Sequence, residues 1–119
     1  MADALVEVAA ESRDGWSGPG IKGRVYDLSD AYLAVEVELV RVIANFDATS
    51  LYAGDAYLTA LAWLTHETGL SRTTAKMIIG VARLCRAHDL VGDLFYAGRL
   101  PMAKAAALAR VVTDERRAL

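Results

Sequence analysis

Apolar residues recur along this chain at helical spacing, and almost nowhere do they alternate with polar ones as a half-buried strand requires. Residues 2 to about 12 have the spacing of a short helix, with Asp3, Glu7 and Glu11 on a four-residue repeat that makes a solvated acidic face. The run Arg13-Asp14-Gly15-Trp16-Ser17-Gly18-Pro19-Gly20 is dense in turn formers and predicts a loop or linker. Ser29 or Asp30 then caps a long helix to about Asn45. Leu33, Val37, Val40, Ile43 and Ala44 give that helix an apolar side, widened by Tyr32, Val35, Leu39, Val42 and Phe46; Glu36, Glu38 and Arg41 interrupt it. A helix so apolar is either central or shares its second face with a partner chain, which makes Ser29–Phe46 the candidate surface for a homodimer.

Asp47 to Gly54 reads as a loop, and Asp55 as the cap of a helix from Ala56 to Thr68 with Leu58, Leu61, Ala62 and Trp63 facing inward. Gly69 ends that helix, because glycine reaches positive φ without a Cβ clash. Ser71 opens the next, accepting a hydrogen bond from a free backbone N–H. The stretch from Leu61 to His88 is therefore helix, short turn, helix: a helix-turn-helix in the geometric sense. A short helix from Asp89 ends at Gly98, and Pro101 stands at or near the first position of the following one, where its missing N–H costs nothing. That helix, Met102 to Val112, is rich in alanine, and Thr113-Asp114-Glu115-Arg116 reads as the start of another, cut at Leu119. The expected fold is all-α, a compact bundle of about five or six helices, with a short helix and flexible linker over 1–28 and the helical domain over 29–119, cut off at its C-terminal end.

The helix after Ser71 has an informative charge layout. At about 100° per residue, Arg72, Lys76, Arg83 and Arg86 fall within an arc of roughly 80°, with Ile79 inside it. Met77, Ile78, Val81, Leu84 and Cys85 fall on the opposite side, which is built for a core. A basic stripe is most simply a solvated face; the sharper reading is a helix that faces phosphates. The whole chain carries a net charge of −2, which argues against a strong nucleic-acid binder. The distribution is uneven, however: residues 1–70 sum to −7 and residues 71–119 to +5. Such asymmetry fits a nucleic-acid-facing half, and equally two halves that attract each other.

Composition narrows the rest. Apolar residues make up 55% and charged residues 24% of 119 residues, enough for one folded domain with a real core. The single cysteine, Cys85, lies on the apolar side of its helix and reads as a small core residue in a reducing cytoplasm. The N-terminus lacks the basic start and apolar run of a secretory signal, and charges break every apolar stretch well short of a membrane span. No nucleophile turn, phosphate-binding glycine loop or cysteine pair is present. His66 and His88 stand on different predicted helices, and each has its acidic neighbour, Glu67 or Asp89, on another helix face, so no dyad is expected. The sequence thus calls for no catalytic residue, metal, cofactor or small-molecule substrate.

Between Ala60 and Arg110 the residues also carry a resemblance. The run A-L-A-W-L-T-H-E-T-G-L-S-R-T-T-A-K, then V-A-R-L, then L-F-Y-A-G-R-L-P-M-A-K-A-A-A-L-A-R-V-V-T, resembles domain of unknown function 222, over roughly residues 30–119. That actinobacterial domain is commonly found N-terminal to an HNH endonuclease domain. The resemblance implies an α-helical, DNA-associated module in a protein whose nuclease centre lies further downstream. An HNH centre needs a His-Asn-His constellation to hold a metal and activate water, and this chain has no counterpart to it.

Two functions are expected to compete. In the first the chain binds or positions double-stranded DNA, with Arg72, Lys76, Arg83 and Arg86 on phosphates and Thr73 and Thr74 nearest the base edges. Gly69, Leu70, Ala75 and Ile78 sit where a DNA-binding helix-turn-helix wants them, while Thr65 occupies the position usually held by alanine. In the second the chain is a dimerisation or protein-interaction module without direct nucleic-acid contact, its interface on Ser29–Phe46.

Overall fold

A computed structural model describes residues 18–118. The expected helix over 2–12, the loop residues Arg13–Ser17 and Trp16 lie outside the described residues. The fold is all-α. Among the described residues there are five α-helices and no strand: α1 (Gly18–Ala48), α2 (Ala60–Thr68), α3 (Arg72–Ala87), α4 (Asp89–Tyr96) and α5 (Met102–Ala118), with a 3-10 turn over Leu51–Asp55. The chain forms two compact units, 1–35 and 36–119.

The long helix begins earlier than its sequence suggests. Gly18-Pro19-Gly20 is its first turn rather than a linker, and Ser29 and Asp30 lie inside it rather than capping it. Proline is tolerated in a first turn because its N–H has no intrahelical partner there. From Ile21 to Leu28 nothing stronger than one further glycine, Gly23, interrupts the helix.

In the first unit the described residues are α1 from Gly18 to Val35, and nearly all of them are exposed, including Ile21, Val25, Tyr26, Leu28, Tyr32, Leu33 and Val35. The second unit holds the core. Val40, Ile43 and Ala44 of α1 join Ala60 and Leu64 of α2, the whole inner face of α3, Phe95 of α4, and Ala105 and Ala106 of α5. Helix α3 is the hub, packed against α2, α4 and α5. Of the residues its spacing sets on the inner side, Ile78, Val81, Leu84 and Cys85 are out of water and Met77 is half-buried; Ala75 and Ala82 join them in the core. Gly92 of α4 lets that helix approach closely: a Cβ there would lie 3.0 Å from the Cys85 carbonyl oxygen.

The connection between α1 and α2 differs from its sequence reading. Helix α2 starts at Ala60, and its cap is Thr59, whose hydroxyl accepts from the Ala62 N–H at 3.1 Å. Asp55 instead accepts from the Trp63 indole N–H at 2.8 Å. Leu58 does not face inward: it stands outside α2 and is 94% exposed. Trp63 packs on Phe46 with ring centroids 4.6 Å apart. The helix expected to start at Thr113 is absent, because α5 continues unbroken to Ala118. The Thr113 hydroxyl donates to the Ala109 carbonyl at 2.9 Å, one turn back, so it bonds within the helix and caps nothing.

Candidate nucleic-acid interface

The hairpin of α2 and α3 has the local chemistry its sequence dictates. Gly69 sits at φ 76°, in the left-handed region that ends α2. The Ser71 hydroxyl accepts from the Thr74 N–H at 3.1 Å and caps α3. Thr65, at the position where a helix-turn-helix usually has alanine, turns its hydroxyl back onto the Leu61 carbonyl at 2.9 Å and so satisfies it within α2.

The basic stripe of α3 divides into two parts. Ile79, counted within the stripe, is 5% exposed and belongs to the core, so it separates them. At the C-terminal end Arg83 lays its guanidinium on Asp47, with Nε 3.0 Å and a terminal nitrogen 3.1 Å from the two carboxylate oxygens. Arg86 reaches the same carboxylate at 3.7 Å. The hydrogen bond from Arg83 holds the Asp47 carboxyl below the usual carboxylate range, and the same bond raises the Arg83 guanidinium further. Both arginines thus already share an internal counter-charge.

The N-terminal end of the stripe is open. Arg72, Thr73 and Lys76 are exposed. Thr74 is half-buried, and its hydroxyl accepts from that of Ser71 at 3.0 Å. Thr73 and Lys76 line a cleft of about 510 Å³ between α3 and α5, and Arg110 of α5 lines it from the other side. Arg110, far along the sequence in an alanine-rich helix, did not show itself as part of the site; only the packing of α5 on α3 brings it there. A second cleft of about 450 Å³ continues past Lys76 toward Leu61, Leu84 and His88.

The surface of α2 carries a cluster that sequence adjacency hid. The Tyr57 hydroxyl donates to Glu67 Oε1 at 2.7 Å and lies 2.5 Å from His66 Nδ1. Because the phenol O–H is directed at Glu67, the phenol oxygen is left to accept from the Nδ1–H of His66. His66 and Glu67, expected to diverge, are therefore joined through a tyrosine, with Nδ1 and Oε1 3.7 Å apart. The Glu67 bond pushes the Tyr57 phenol up to about 12, so at neutral pH it is a proton donor and not a nucleophile. Together with the Asp55–Trp63 bond, this cluster clasps the connection before α2 onto that helix.

Among the described residues no helix is long and apolar enough to cross a membrane. No group of three or more His, Cys, Asp or Glu side chains among them is placed to hold a metal ion. No protein-family profile matches the chain, and no curated protein or solved structure is significantly similar to it.

Proposed function

We propose that this chain is a non-catalytic helical domain that associates with double-stranded DNA, in a protein of the HNH endonuclease type suggested by its resemblance to domain of unknown function 222. The observation that carries the reading is the open N-terminal end of α3, where Arg72 is exposed and Lys76 shares one cleft with Arg110 of α5. Phosphates favour such a place twice, through the cations and through the unpaired N–H groups and dipole of a helix start. Thr73, exposed beside Lys76, is the side chain nearest a base edge. Arg83 and Arg86 contribute less, because Asp47 already neutralises part of their charge.

The test is a titration of labelled duplex DNA at two salt concentrations. With three phosphates engaged, affinity should fall about 40-fold from 50 to 200 mM salt. The Arg72→Glu/Lys76→Glu variant, still helical by circular dichroism, should lose binding. Full affinity in that variant, or no binding of the native chain at low salt, would remove the reading.

A second reading, an interaction module with its interface on α1, is favoured by the exposed apolar side chains of that helix.

A further inference from the structure

The two clefts beside α3 are one trough. They share Lys76, Gly80, Ala109 and Thr113, and they lie wholly within the second unit. The floor is a single line on α3: Thr73, Lys76, Gly80, Arg83 and Ala87 fall within an arc of about 80° and rise about 21 Å along the helix. Helix α5 makes a wall with Ala106, Ala109 and Val112, and Leu61 at the start of α2 lines the far end.

Gly80 is the residue that packing within the chain does not explain. It stands in the middle of α3, where glycine weakens a helix relative to alanine. A close helix crossing would account for it, but a Cβ there would meet nothing nearer than the Ala109 Cβ at 3.7 Å, an ordinary contact. The missing side chain instead deepens the trough where the two clefts join, so that an occupant reaches the backbone of α3.

The lining selects the occupant. Beyond Lys76 it is apolar, with Leu61, Ile79, Leu84, Ala87 and Val112, which offers nothing to a phosphate and a place out of water to an apolar side chain. Its charged residues are all cations: Lys76 and Arg110 stand at one end, and Arg83 further along already holds Asp47. Among the described residues no carboxylate lines either cleft. We infer that the trough is the docking site for an acidic amphipathic helix of a partner protein, its apolar side chains over Gly80 and its carboxylates at Lys76 and Arg110. The length agrees, since about 21 Å is about four turns of helix, laid in the groove through anchors three and four residues apart. This goes beyond the DNA reading and does not rest on it. Lys76 and Arg110 serve both, so helix and duplex compete for that end of the trough.

The probe is a fluorescent synthetic peptide of about four helical turns, with leucines at intervals of three and four and glutamates beside them, titrated with the full chain. The native chain should bind it, and should bind a peptide with lysine for every glutamate about tenfold more weakly or worse. Gly80→Leu, which fills the floor, and Arg110→Glu, at an exposed position, should each weaken the acidic peptide by about tenfold or more. Arg110→Glu carries the test if Gly80→Leu does not fold. Gly80→Ala should melt no lower than the native chain; a lower midpoint would make the glycine a packing requirement of α3 on α5 and overturn the proposal. No binding at millimolar concentration, or binding that Arg110→Glu leaves unchanged, overturns it too. Equal binding of a peptide with serine for every leucine would mean that the cations alone are read, as by phosphates, and self-association lost in Gly80→Leu would give the trough to a second copy; either outcome removes the partner helix. None of these measurements contains DNA, so their failure leaves the duplex titration to be decided by itself.

Discussion

Arg83 and Asp47 form a two-bonded ion pair across 36 residues of sequence, tying the C-terminal part of α3 to the end of α1. Asp47 is nearly buried while Arg83 is largely exposed, so the carboxylate is the partner that depends on the pair. Asp47→Asn should lower stability by about 1–2 kcal/mol, a modest figure because the arginine side is solvated. The same variant separates structure from binding: it releases Arg83 and Arg86, so DNA affinity measured at low salt should rise rather than fall. A drop in affinity in a folded Asp47→Asn variant would mean that the pair itself shapes the binding surface.

The depressed Asp47 carboxyl also gives a pH dependence. Its contribution is fully present above the ordinary aspartate value of about 3.9 and is lost as pH falls through the lower folded value. Urea midpoints measured from pH 6 to pH 2 should show a drop at the acid end that is smaller in Asp47→Asn.

Tyr57 works in the opposite direction. Its phenol is raised to about 12, so the bond to Glu67 holds through neutral pH and is lost as pH rises from about 10 through 12. Phenolate absorbance should contain a late step near pH 12 that disappears in Tyr57→Phe. If the late step survives that substitution, the clasp on α2 is not formed in solution.

Two backbone positions make sharp and opposite forecasts. Ala56 sits at φ 67°, where a Cβ is unfavourable, and Ala56→Gly should raise the midpoint by the equivalent of about 1 kcal/mol. Gly92→Ala places a methyl 3.0 Å from the Cys85 carbonyl and should cost about 1–3 kcal/mol as α4 moves off α3. Thermal denaturation of the two variants beside the native chain reads both.

What the sequence shows here is what neighbours within a few residues decide. Gly69 and Ser71 mark the α2–α3 turn because the ending of one helix and the cap of the next are local chemistry. The core side of α3 follows from its own period, and so does the start of α5 after Pro101. The misreadings occur where two local signals compete or where the deciding partner is distant. Asp55 and Thr59 are both good caps, but Ala56 stands at φ 67° and cannot open a helix after Asp55, so the helix starts after Thr59 and Asp55 bonds Trp63 instead. Thr113 and its acidic neighbours look like a helix start, yet a threonine can equally bond one turn back and let the helix run on. The stripe on α3 looks uniform in sequence because nothing near it announces Asp47, and Ile79 looks exposed because the angle alone does not say how much of α3 its neighbours cover.

Cys85 turns the α3–α4 contact into a clock. Its thiol is buried, and burial pushes it up, away from the reactive thiolate. A thiol reagent can therefore modify it only when α4 lifts from α3, and the modification rate counts those openings. With a single cysteine in the chain, every trapped event reports the same crevice, and the protein carries a built-in gauge of how often its hub is uncovered.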